Sequence, residues 1–306
     1  MRPAWSVVLL TTLLGAGQGL LLALFSADLY DAARGRASLA PLFVAAAVIG
    51  SLGLAAAGLA ASFFHLGRPE RAWRSAAMWR TSWLSREVIA LPLFMALVAL
   101  YGTLHWLGLL QAALVAGALA AAVCLALFVC TGMIYACLEF LQEWHSPLTV
   151  LNFILPGCAS GLTAATALAG WLDPALEPDY GFAALIALAL AAASRAASLV
   201  RNARLRPRSN LQTAIGVKHP QITQKAQGAM GGSFNTREFF HGASAVRLGA
   251  VKWFFIGAAF AAPAALLALG LPSAAFFVQF AGLLAERWYF FAEARHPQNL
   301  YYQTIS

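Results

Sequence analysis

Five residues in the sequence have side chains suited to moving protons at a membrane edge. His65 closes an apolar stretch and is followed by Leu66-Gly67-Arg68-Pro69-Glu70-Arg71. Trp79 sits among arginines, Glu87 opens the next apolar stretch, and Gln18 lies inside the first one between Gly17 and Gly19. An imidazole with an ordinary pKa can give or take a proton near neutral pH, and a nearby carboxylate can relay it. Quinone chemistry moves two electrons with two protons, so a quinone pocket beside lipid calls for such groups. In that reading His65 hydrogen-bonds a quinone oxygen and Glu87 passes protons. Arg71 holds that carboxylate ionised, Trp79 offers a flat wall, and Gln18 adds a neutral hydrogen bond. The competing reading is an interfacial histidine bonded to a carbonyl, with Trp and Arg as headgroup anchors.

Other chemistry finds less support. The chain has no GxxxxGK[ST], HExxH or CxxCH. Cys124, Cys130 and Cys137 are spaced by six and seven on one apolar stretch, with Cys158 on the next. Cluster ligation favours tight CxxC spacing on loops, so these read as small buried hydrophobes. A b-type haem needs two histidines at matching depth, and His65 with His145 is the one conceivable pair. Gly228, Gly231 and Gly232 do not form a GxGxxG. Arg195, Glu286 and Arg287 fall within apolar stretches, where snorkelling to the interface or local pairing is the favoured reading over a proton path. Asn152 reads as a hydrogen bond between neighbouring helices.

Composition fixes the elements that hold these groups. Of 306 residues, 61% are hydrophobic and 10% charged, against about 25% charged in soluble domains. A water-soluble enzyme is excluded, as are a disordered chain and, with only four cysteines, a disulfide scaffold. A helix needs about 20 apolar residues to span a bilayer. Eight segments qualify: 5–25, 42–64, 88–108, 112–134, 148–170, 181–200, 249–269 and 273–292. The expectation is therefore an all-α polytopic membrane protein of eight transmembrane helices, forming one integral domain over 1–306. The runs Gly50-Ser51-Leu52-Gly53 and Gly157-Cys158-Ala159-Ser160-Gly161 suit close helix contact.

An even span count places both termini on one side, with loops 66–86, 139–147 and 201–247. Loop 66–86 carries Arg68, Arg71, Arg74, Arg80 and Arg86, and 201–247 carries eight further basic residues including Arg237. The opposite side has Arg34 and Arg36 beside Asp173, Glu177 and Asp179. The positive-inside rule then puts both termini in the cytoplasm. The formal charge of +8 is thus a topology signal and not a sign of nucleic-acid binding. The long 201–247 loop mixes turn residues, aromatics and charge. It reads as a partly ordered cap touching a partner, or else as a polybasic loop on lipid.

Three stretches together carry a family resemblance: Pro3-Ala4-Trp5-Ser6-Val7-Val8 through Gly15-Ala16-Gly17-Gln18-Gly19, Phe64-His65-Leu66-Gly67-Arg68-Pro69-Glu70-Arg71-Ala72-Trp73, and Trp79-Arg80-Thr81-Ser82-Trp83-Leu84-Ser85-Arg86-Glu87. Over most of its length the chain resembles the membrane anchor subunits of dimethyl sulfoxide reductase-type molybdopterin enzymes. The resemblance implies a bacterial inner-membrane anchor that holds no metal and no covalent cofactor. Such an anchor passes electrons between quinone (ubiquinone or menaquinone) and an iron–sulfur subunit, which is joined in turn to a molybdopterin catalytic subunit. It also implies that His65, in the His-Leu-Gly run, is the quinol-reactive histidine. The iron–sulfur partner would dock on the face of Arg68, Arg80, Arg86 and Arg237. In the dimethyl sulfoxide reductases that face is periplasmic, whereas the arginines of loop 66–86 hold it in the cytoplasm here. Gly232-Ser233-Phe234-Asn235-Thr236-Arg237-Glu238-Phe239-Phe240 resembles the branch of cytoplasmic, quinone-linked sulfite dehydrogenases. Sulfite oxidation toward quinone is the leading expectation. Quinol oxidation toward an S- or N-oxide, a secondary transporter and a purely structural anchor are the alternatives.

Overall fold

A computed structural model describes residues 1–35, 39–64, 66–225 and 239–300. His65 and Arg237 lie outside the described residues. The fold among the described residues is helical throughout. Its long elements are α1 (Trp5–Ala33), α2 (Pro41–Phe63), α3 (Trp83–Trp106), α4 (Leu110–Ala136), α5 (Pro147–Leu172) and α6 (Glu177–Ala203). A one-turn helix α7 (Leu211–Ile215) follows, then α8 (Ala245–Ala268) and α9 (Pro272–Glu293). A 3₁₀ segment, Pro69–Met78, lies between α2 and α3.

Seven of these helices, α1 to α6 and α8, are long and apolar enough to cross a bilayer. The eighth expected segment is also helical, but Gln279, Glu286 and Arg287 lower its hydropathy below that of the rest. The helices outrun the apolar stretches. α1 continues to Ala33 because Ser26 bonds the Ala23 carbonyl at 2.7 Å and Asp28 is satisfied by α3. Likewise α3 starts at Trp83, where Ser82 accepts a hydrogen bond from the Ser85 amide, so Glu87 sits one turn inside the helix.

Lipid is as apolar as leucine, so close packing must hold the bundle together. α1 is its centre, packed on α2, α4, α5 and α9. The small-residue runs provide the contacts. Ser51 donates to the Gly17 carbonyl at 2.8 Å, while a Cβ on Gly19 would collide with Gly157 and one on Gly161 with Gly19. α8 contains a π turn at Gly257–Ala261, pressed so tightly on Gly282 of α9 that no side chain fits there. At one end of the bundle Tyr135, Trp144, Phe153, Phe290 and Phe291 form an aromatic cluster, and the Trp144 indole donates to the Phe290 carbonyl at 3.0 Å. The Met1 amine bonds the Ala294 carbonyl at 2.7 Å, which puts the start of α1 and the end of α9 at this same end.

Candidate functional site

The α2–α3 connection builds an exposed platform. Pro69 fixes the first turn of the 3₁₀ segment, none of whose residues is buried. Trp73 is 71% exposed and Trp79 52%. Arg74 and Arg80 stack beside the Trp73 and Trp79 rings at 5.4 and 5.3 Å. Arg86 differs from the other arginines. Its guanidinium folds back to donate to the carbonyls of Trp79 and Arg80 at 2.9 and 2.8 Å, and it lies 4.2 Å from the Trp83 ring. It therefore fixes the turn into α3, whereas Arg68 and Arg80 are exposed.

One turn below this platform, Glu87 is buried between α3 and α4. Thr131 of α4 donates to its Oε1 at 2.5 Å. Tyr135, the next residue on that face of α4, lies within electrostatic reach of both Glu87 and Arg287. A carboxylate here can hold or release a proton at the edge of the bundle.

The expected site residues do not all converge. Arg71 lies 3.9 Å from Glu70, and among the described residues no ion pair joins it to Glu87. Gln18 is 1% exposed and bound to α4: its amide donates to the Cys124 carbonyl at 3.0 Å, and the Cys124 thiol donates back to the Gln18 carbonyl. Cys124 is seven residues from Thr131, so Gln18 sits about 10 Å along α4 from the Glu87 contact. The geometry brings Glu87 and Trp79 to one edge and gives Gln18 to the helix core. Cys124 and Cys130 are buried, but Cys137, at the end of α4, is exposed, contrary to expectation. His145 is held by the Ala136 carbonyl at 2.8 Å.

Two polar groupings went unread in the sequence. Thr131 carried a signal only as the one threonine of an otherwise apolar helix. At the opposite end of the bundle, Asp28 accepts hydrogen bonds from Tyr101 at 3.0 Å and His105 at 2.9 Å, joining α1 to α3. The charges of α6 and α9 pair locally and do not snorkel. Arg195 reaches Glu286 at 2.7 Å and Glu293 at 3.6 Å, and Arg287 reaches Glu286 at 3.3 Å. Arg287 also donates to the Asn152 carbonyl, and Asn152 donates to Ser198 at 2.7 Å, linking α9, α5 and α6.

Comparison with known proteins agrees with this architecture. Residues 1–217 match the family described as DMSO reductase anchor subunit (DmsC). The whole chain aligns with the whole of a sulfite dehydrogenase subunit from Allochromatium vinosum, with 54% identity over 325 aligned positions. These two matches, with the multi-pass helices, show that the chain belongs to the family of DMSO reductase membrane anchor subunits.

Proposed function

We propose that this chain is the quinone-reactive anchor of a three-subunit sulfite-oxidising complex in a bacterial inner membrane. The observation that carries the reading is the full-length match to a subunit of a sulfite dehydrogenase, joined to a buried carboxylate one turn beneath the arginine platform. In this reading α9 is the eighth span, since its 22 residues cover the hydrocarbon core and its charges are paired inside the bundle. Both termini then face the cytoplasm with the arginine-rich loops.

Sulfite oxidation on the molybdopterin subunit releases two electrons, which pass through an iron–sulfur subunit to this chain. That partner docks on the outward arginines Arg68 and Arg80, with Arg237 of the long loop adding charge. A quinone bound at the α2–α3 edge takes up those two electrons with two protons. His65 holds one quinone oxygen, Trp79 covers the ring, and Glu87 holds the proton nearest the bundle. Thr131 positions the Glu87 carboxylate. Gln18 fastens α1 to α4 and acts on the site through that packing.

The test is to purify the complex by a tag on this chain. Co-purification of a molybdopterin subunit and an iron–sulfur subunit, with sulfite-dependent quinone reduction, is expected. A complex without molybdenum, or one that reduces a soluble dye with sulfite but never a quinone, would overturn the reading.

A further inference from the structure

At the end of the bundle that carries Met1 and Ala294, a cleft of about 1100 Å³ lies between α6, α8 and α9. Among the described residues, none of α2, α3 or the platform lines it, so it is separate from the Glu87 edge. The cleft exists because two helices part. α6 packs on α8 chiefly along Gly257–Ala268, while Ala245–Ile256 rests on α9. Leu199 of α6 and Leu248 of α8 give it apolar walls. Tyr289 of α9 lines it too, with its ring backed by the buried Phe255 at 5.3 Å.

Lys252 of α8 is the polar group on these walls. It stands seven residues past Ala245, about 10 Å along the helix, and is half-buried. The adjacent Trp253 is 71% exposed, and an outward tryptophan near the start of a span marks the boundary between headgroups and hydrocarbon. Among the described residues Lys252 has no ion pair. Residues 245–268 hold two cations, Arg247 and Lys252, and no carboxylate. The carboxylates that line the cleft lie on other elements. Glu293 is paired with Arg195 at 3.6 Å, and Glu139 and Glu143 belong to the α4–α5 connection, with Glu143 in electrostatic reach of the Met1 amine. Arg208 and Arg295 add two exposed cations to the lining. An ammonium beside hydrocarbon ordinarily meets a counter-charge, because leaving it unpaired there is costly. A cation at headgroup level between apolar walls suits a phosphodiester that carries acyl chains. A free inorganic anion would gain nothing from Leu199, Leu248 and Tyr289.

We propose that the cleft between α6 and α8 is a binding site for one anionic phospholipid, whose phosphate meets Lys252 and whose acyl chain lies against Leu248, Leu199 and Tyr289. The site stands or falls independently of the quinone edge. The competing account is a lysine that reaches into bulk headgroups and holds no particular lipid.

The complex is purified through a tag on this chain and washed in detergent, and its phospholipids are extracted and counted per complex. Lys252→Glu reverses the charge in the cleft, and Lys218→Glu reverses that of an exposed lysine outside it. The unaltered chain and Lys218→Glu should retain phosphatidylglycerol or cardiolipin. Lys252→Glu should retain at least about tenfold less, the loss of one charge-assisted contact. Equal retention in both variants, or none in the unaltered complex, overturns the site, as does release of a protein subunit in place of lipid. Lipid-stripped complex is then titrated with phosphatidylglycerol or with inorganic phosphate. Phosphatidylglycerol should raise its unfolding temperature; no rise, or a rise with inorganic phosphate as well, overturns the proposal. Should Lys252→Glu fail to assemble, the unaltered complex in nanodiscs is cross-linked with a phosphatidylglycerol bearing a diazirine on its acyl chain. Cross-links concentrated on 199–205 and 248–252, relative to the outward-facing Ile89 and Leu93 of α3, support the site, and an even spread overturns it.

Discussion

Thr131 of α4 donates its hydroxyl proton to the Glu87 carboxylate of α3 at 2.5 Å, within a contact that excludes most solvent. The pair joins two neighbouring helices and aims one carboxylate. Thr131→Val removes the donor while keeping the shape, leaving a buried acceptor unsatisfied at a cost of about 1–3 kcal/mol. We expect a lower unfolding temperature for the purified complex and a several-fold loss of quinone-linked turnover, with dye-linked sulfite oxidation retained. Glu87→Gln should lose more, roughly 100-fold, because it removes the titratable group itself. Full quinone turnover in Glu87→Gln would exclude the carboxylate from proton handling.

His65→Ala is the sharper test of the quinone edge. The complex should assemble and oxidise sulfite with a soluble dye, yet lose turnover with a short-chain quinone. Retained quinone turnover would leave His65 without a role and favour a purely structural anchor.

The platform arginines separate by geometry. Arg68→Glu with Arg80→Glu should release the iron–sulfur partner from washed membranes at lower salt than the unaltered chain, because exposed charge pairs are screened. Unchanged retention across the salt series would mean that these arginines meet lipid headgroups. Arg86→Glu should act differently, loosening the turn that its guanidinium closes and lowering stability at every salt concentration.

Much of this arrangement was legible in the sequence and part of it was not. Apolar runs located the long helices because a span cannot leave its backbone unpaired. Their ends were not legible: Asp28 stops the apolar run of α1, but Tyr101 and His105, more than seventy residues away, satisfy it and let the helix go on. The run 157–161 correctly marked close helix contact, as Gly157 and Gly161 show against α1, and Ser51 of the run 50–53 meets Gly17, while Gly53 beside it faces open space. The partners of polar groups were beyond reach. Glu87 was visible as a carboxylate at a span edge, but its contact with Thr131 depends on how α3 and α4 are rotated. Gln18 was assigned to the quinone edge from its position in α1, while helix packing turns it toward Cys124.

Acidification should loosen the cleft. His241 and His296 line it, and burial lowers both imidazole pKa values below the usual 6.5, with the Met1 amine adding like charge. The unfolded segment therefore binds more protons than the folded one just below that value. Its stability rises with pH and is lost as the pH falls through this range. Backbone hydrogen exchange over 239–243 and 294–300, corrected for intrinsic rate, should be faster at about pH 5.5 than at about pH 7.5 by a margin that His241→Gln reduces. Protection independent of pH would show that neither imidazole governs the segment.

Topology has a direct readout. A reporter fused after Ser306 should fluoresce as a green fluorescent protein fusion and be inactive as an alkaline phosphatase fusion. Strong phosphatase activity would place the arginine loops in the periplasm and reverse the argument for a cytoplasmic sulfite-oxidising partner.

The burial of α1 has a consequence for how the protein is made. It is made before α4 and α5, the helices that cover much of it, and 72% of its apolar stretch is covered in the finished bundle. Its glycine face fits α5, which is synthesised more than a hundred residues later. Although α2 covers Gly17 early, the face of Gly15, Gln18 and Gly19 stays uncovered during biogenesis until α4 and α5 arrive to enclose it. Truncated chains ending before Pro147 should accordingly be degraded quickly, and chains extended through Leu172 should persist.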